Sequence, residues 1–223
     1  MNTDEGLDFS LLLASSVHDI KNSLGMLLSS LDDMIVESNE NSLAVGVLRG
    51  EAARINNALI HLLGLYRLQH KQLNVSVGEV FVRDFLDEQV ASQQPLFDLK
   101  SISVELDCDD NLTGYFDEQL IAGVVNNVLV NGAKYTKDFI RLSSRRDHSG
   151  IRIVIQDNGS GYPSGLLESL DNSKRGVDFI SGSTNLGLYF AEQIVQRHVC
   201  KDQRGHIHVT NNAEGGCFSL YLP

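Results

Sequence analysis

Apolar residues in the first third of the chain recur at alternating spacings of four and three. Leu13, Val17, Ile20, Leu24, Leu27, Leu31 and Met34 form one such series, which predicts a helix packed along a coiled-coil-like seam. Val45, Leu48, Ala52, Ile55, Leu59, Leu62, Tyr66, Gln69 and Leu73 form a second. The stretch between them, Glu37 to Ser42, is polar and turn-prone, so the two helices are expected to fold back as an antiparallel hairpin. Leu12, Leu28, Ile35, Leu63 and Leu65 widen the apolar face beyond the seam. One hairpin cannot cover that much apolar surface, whereas two close a four-helix bundle, so the pattern predicts a homodimer.

After Leu73 the period changes. Asn74 to Glu79, with Gly78, reads as a short linker. Ile102 to Leu106 and Ile151 to Ile155 alternate as half-buried strands, and Phe139 to Leu142, His206 to Thr210 and Phe218 to Leu222 read as further strands. Helical stretches are expected at about Asp84 to Gln93, Glu118 to Ala133 and Leu186 to His198, with Pro95 and Pro163 in loops. Mixed in this order, the elements predict a two-layer α/β domain with its helices on one face.

Four places carry candidate chemistry. His18 follows the seam residue Val17, so its imidazole points out of the core, beside Asp19 and one turn before Asn22. Asn127 and Asn131 are four apart and share a helical face. With Lys134 and Tyr135 at the helix end, they could hold a metal-bound phosphate and stack a base; ordinary surface amides are the plainer alternative. Asp157, directly after a strand, could accept a hydrogen bond from an exocyclic amine, and Gly159 and Gly161 permit close backbone approach. Gly182 to Leu188, including Gly187, opens a helix, where backbone N–H groups suit an anion or a simple N-cap.

Charge and composition narrow the classes. The net charge of −11 in 223 residues argues against a nucleic-acid partner, which requires a basic face. Cys108, Cys200 and Cys217 are scattered, without a CxxC pair, and read as reduced thiols. His206 and His208 share one strand face and His198 lies upstream, but no cysteine or carboxylate spacing completes a zinc set. The N-terminus is acidic where a secretory signal is basic, and no apolar run approaches the ~20 residues of a membrane helix. A cytoplasmic protein without a membrane span is the expectation.

Taken in order, these segments resemble the two-component sensor histidine kinases from about Leu11 to Pro223. His18 to Asn22 is similar to the H-box, Asn127 to Thr136 to the N-box, Asp157 to Gly161 to the G1 box and Gly182 to Leu188 to the G2 box. The resemblance implies a dimerisation and histidine-phosphotransfer domain at residues 1–75 and a Bergerat-type ATP-binding domain at 76–223. By the same resemblance His18 is the phospho-acceptor, Asp19 its hydrogen-bonding base, and Asn22 the residue that orients water in dephosphorylation. Asn131 would ligate Mg²⁺ with Asn127 in support, Lys134 touch phosphate, Tyr135 pack on adenine and Asp157 accept the adenine amine. Gly159, Gly161, Gly182 and Gly187 would shape the ATP pocket, and Tyr162 to Ser181 form a mobile lid. Gly132 and Asn185 replace the usual Ala and Gly, and no F-box lies between Gly161 and Gly182. The implied partners are a second copy and a response regulator receiver domain. With only about ten residues before the first helix, either a separate sensory protein acting in trans is expected or the chain is the catalytic core of something longer. A kinase-like dimeric adaptor without turnover and a pure histidine phosphotransferase are the alternatives.

Overall fold

The computed structural model of the protein describes Ile20, Leu24, Ala52, Ile55, Leu59 and residues 74–171 and 183–223. The chain divides into two compact units, Met1–Leu73 and Asn74–Pro223. The five described positions of the first unit are all helical. The rest of the expected hairpin, the dimer, and His18, Asp19 and Asn22 lie outside the described residues.

The second unit begins with β1 (Gly78–Phe81), α1 (Val82–Leu99), β2 (Ser103–Cys108), β3 (Thr113–Phe116) and α2 (Glu118–Tyr135). The hairpin of β4 (Phe139–Asp147) and β5 (Gly150–Asp157) follows, then α3 (Ser164–Asp171) and α4 (Ser183–Val195). Two short strands, β6 (Val199–Cys200) and β7 (Gln203–Arg204), precede β8 (His206–Asn211) and β9 (Gly216–Leu222). Five strands form one mixed sheet in the order β2-β4-β5-β9-β8, in which only β2 and β4 run parallel.

Alternation explains the two layers. Ile151, Ile153 and Ile155 of β5, with Ile140 and Leu142 of β4 and Phe218 and Leu220 of β9, are buried. They meet Ile121, Val124, Val125, Val128 and Leu129 of α2, whose spacings of three and four put them on one helical stripe. Phe85 of α1 packs edge-on against Phe116 of β3, with ring centroids 5.2 Å apart. The other sheet face is polar: Arg141 pairs with Glu105, Arg145 with Asp107 and Arg152 with Asp147. The expected α/β architecture with helices on one face is thus observed in this unit.

Several expectations need correction. Gly78, read as linker, begins strand β1, which pairs antiparallel with β3 through Val80 opposite Gly114. Pro95, read as a loop residue, lies inside α1. Pro95 and Ala91 are both exposed, so the carbonyl that the missing N–H leaves unpaired faces water, which removes most of the cost. The first part of the expected lid is helix α3; residues 172–182 lie outside the described set. Strands β3, β6 and β7 had no counterpart in the sequence pattern, being two to four residues long.

His198 has a structural role. It is 2% exposed; its Nε2 accepts from the Asp117 backbone N–H at 3.0 Å and its Nδ1 lies 3.1 Å from the Ile194 carbonyl. The proton therefore sits on Nδ1, and the neutral ring ties α4 to the N-cap of α2. Asp117 caps that helix by accepting from Leu120 N–H, and also accepts from Ser76 N–H. Burial holds the imidazole below its ordinary pKa of 6.5. The unfolded chain then binds a proton that the folded one excludes, so stability is full above that value and falls as pH drops below it. Urea midpoints should decline between about pH 7 and 5.5, and His198→Gln should lower the midpoint at pH 7.5 while flattening that decline. A wild-type slope retained in the variant would assign the effect elsewhere.

No group of three or more His, Cys, Asp or Glu side chains that could hold a metal exists among the described residues. The three cysteines are free thiols. No helix among the described residues is long and apolar enough to cross a membrane.

Candidate nucleotide site

Three of the segments singled out in the sequence converge at one end of the second unit: the later turns of α2, the loop after β5, and the start of α4. Asn127 and Asn131, both half-buried, lie one turn apart on α2. Gly187 of α4 faces Asn127 so closely that a Cβ there would sit 2.7 Å from its Nδ2 and 2.8 Å from its Oδ1. Gly182 lies outside the described residues. Gly159 lies against the Tyr135 carbonyl, where any Cβ would overlap the backbone. Lys134 and Tyr135 are exposed in the last turn of α2, with the ammonium 5.2 Å from the ring centroid. A Cβ on Gly132 would lie 3.3 Å from Ile140 Cδ1, a tight contact.

Asp157 ends β5 in a defined orientation. Its Oδ1 accepts from the backbone N–H of Gly159 at 2.8 Å and of Gly216 at 3.3 Å. That leaves Oδ2 as the oxygen for a further donor. Gly161 has a φ of +75°, a left-handed conformation that glycine adopts without steric cost.

Sequence reasoning missed four residues here. Asn211, at the end of β8, accepts from Tyr162 N–H at 2.7 Å and donates to Tyr162 O at 2.8 Å, clamping the far side of the loop. Gly215 and Gly216 pack against the Asp157 backbone and carboxylate respectively. The Tyr162 ring covers Gly216, and burial first, then the charges of Asp157 and Cys217, push its hydroxyl pKa up. The Gly215-Gly216 pair before a strand was the available signal, since paired glycines there mark close backbone approach.

The amide of Asn127 tests whether these residues suit a metal–nucleotide. Its Nδ2 is buried without a hydrogen-bond partner, which costs about 1–3 kcal/mol unless a ligand supplies one. An N–H there fits a phosphate oxygen, and an amide oxygen fits a hard cation. Gly187, in the second turn of α4, brings that helix against the same amide. The donor set therefore fits a polyphosphate with its cation.

Residues 116–223 match the family model described as histidine kinase-, DNA gyrase B- and HSP90-like ATPase. The second unit carries a histidine kinase-like ATPase domain. Sensor protein PhoQ of Escherichia coli (strain K12) is 24% identical over 187 residues, covering 83% of this chain and 38% of that protein. Virulence sensor histidine kinase PhoQ of Salmonella typhimurium (strain 14028s) is 22% identical over 204 residues, 92% of this chain and 41% of that one. The chain thus spans about two fifths of the length of these relatives. Among solved structures, Acinetobacter baumannii histidine kinase AdeS aligns at a TM-score of 0.64 with 17% identity, over 90% of this chain and 95% of that chain. Full-length ShkA, in complex with AMPPNP, aligns at 0.67 with 19% identity, over 95% of this chain and 45% of that chain. The mixed sheet with its helical layer is the fold shared with these kinases.

Proposed function

We propose that the chain is an ATP-dependent protein-histidine kinase that phosphorylates its own His18 and passes the phosphate to an aspartate of a response regulator. The observation that carries this reading is the buried, unpartnered Asn127 amide opposite Gly187, in the same unit as the oriented Asp157 acceptor. Mg²⁺–ATP supplies the transferable γ-phosphoryl group. Asp157 Oδ2 accepts from the adenine amine, Asn127 and Asn131 hold the phosphates and the cation, with Asn131 as the metal ligand, and Lys134 neutralises phosphate charge. Tyr135 covers the base, and Gly159, Gly161, Gly182 and Gly187 give the backbone room to approach. The ShkA complex with AMPPNP, a nucleotide analogue, supports nucleotide binding by this fold.

In this reading residues 1–75 form the phosphotransfer hairpin, paired in a homodimeric four-helix bundle in the cytoplasm, and 76–223 the ATP-binding domain. His18 presents a ring nitrogen for in-line attack, Asp19 orients the imidazole, and positioning supplies most of the acceleration. Asn22, one turn later, orients water for removal of phosphate from the regulator. Incubation with radiolabelled ATP and Mg²⁺ tests the set: wild type should take up acid-labile label and His18→Ala none. Asn22→Ala should label normally and slow dephosphorylation of purified phospho-regulator. Absence of label on wild type, with nucleotide binding intact, would favour the adaptor.

A further inference from the structure

Asn158 stands between the Asp157 acceptor and Gly159, yet its side chain reaches toward the turn that follows α2. Its Oδ1 accepts from the consecutive backbone N–H groups of Lys137, Asp138 and Phe139, each at 3.2 Å. The Thr136 hydroxyl lies 2.8 Å from the same oxygen and 2.8 Å from the Phe139 carbonyl, sharing its one proton between them. Asn158 Nδ2 donates to Asp138 Oδ1 at 2.7 Å, and the Asn158 backbone N–H donates to Phe139 O at 3.3 Å. One half-buried side chain therefore gathers the whole turn 136–139.

That turn is the continuation of the helix end carrying Asn131, Lys134 and Tyr135, and Asn158 is the immediate neighbour of Asp157. The hydrophobic core does not pass through it: the residues it binds are exposed or half-buried. Only an amide satisfies both sides. The oxygen meets three N–H groups, and the nitrogen meets a carboxylate. A carboxylate in its place would keep the first set and set two anions 2.7 Å apart at Asp138.

We propose that Asn158 is a positioning residue of the nucleotide site, holding the Asp157 carboxylate at a fixed distance from the last turn of α2. The inference rests on the ATP-binding reading above. Binding energy at such a site depends on donors and acceptors being held in place before the ligand arrives, so loss of the tie should appear in affinity and leave the core intact.

The test is calorimetric titration of the full chain with AMPPNP and Mg²⁺, for wild type, Asn158→Asp, Asp138→Asn and the double variant. Asn158→Asp should raise Kd about tenfold or more, because it opposes Asp138. Adding Asp138→Asn restores a donor opposite the new carboxylate and should bring Kd back to within about threefold of wild type. Melting temperatures read alongside separate this from a role in folding alone. Positioning changes Kd while Tm stays near wild type, whereas a folding role lowers Tm and affinity in step and restores both together in the double variant. Wild type that binds while Asn158→Asp binds equally well overturns the proposal. So does a loss that the double variant fails to recover. Wild type that binds no nucleotide instead overturns the ATP reading, and this inference with it.

Discussion

Asp157→Asn should weaken binding of an ATP analogue by about 1–3 kcal/mol, roughly 5- to 150-fold, with little change in folding. The direction follows from the two backbone N–H groups on Oδ1. They can donate only to an oxygen at that position, so the asparagine must keep its carbonyl there and place its NH₂ where Oδ2 stands. An acceptor facing the adenine amine then becomes a donor facing a donor. Titration calorimetry measures the loss, and guanine nucleotides, which carry an acceptor at the corresponding ring position, should suffer less than adenine ones. Unchanged ATP affinity would mean that Asp157 does not read the base and serves only the glycine loop.

Gly187→Ala is the second large effect. The added methyl would lie 2.7 Å from Asn127 Nδ2, 2.8 Å from Oδ1 and 3.1 Å from Cγ. Contacts that short force the amide or α4 to move, at about 1–3 kcal/mol for an overpacked site. Since the displaced amide is the one assigned to phosphate, nucleotide affinity should drop by about tenfold or more in the same protein. Trimming the obstacle separates the two losses. In an Asn127→Ala background, Gly187→Ala should cost little further stability, while binding stays weak. Urea denaturation and calorimetry give both numbers, and an additive cycle would show that the two residues do not meet in solution.

Local pattern explains why much of the second unit was readable. Ile151, Ile153 and Ile155 alternate because they line one face of a sheet, and that period survives in the sequence with no knowledge of partners. The apolar stripe of α2 is legible for the same reason. Asp157 and Gly159 could be singled out because a strand end followed by glycines is itself a local sign. What escaped was set by distance along the chain. Asn211 reaches Tyr162 across 49 residues, and nothing around Asn211 announces a partner so far away. The β1–β3 pair was hidden because four residues are too few to show a period, and Gly78 and Gly114 resemble turn residues. Pro95 misled because the helix penalty assumes a carbonyl shielded from water. The four-and-three spacing of the first unit was legible as helix, and the five described positions there are helical.

The strand order has a consequence for how this unit is made. Strand β9 is the last of the five to leave the ribosome, yet it lies between β5 and β8 and bonds to both. Until it arrives β8 has no neighbour in the sheet, and β5 has one edge open with Ile151, Ile153 and Ile155 only half covered. The β4–β5 hairpin can zip early because its partners are adjacent, but the sheet stays split in two until synthesis passes Leu222. The loop that orients Asp157 takes one of its two N–H groups from Gly216, at the start of that same strand. On the proposed assignment, nascent chains hold Asp157 without its Gly216 N–H, and the nucleotide site is completed in a single late step.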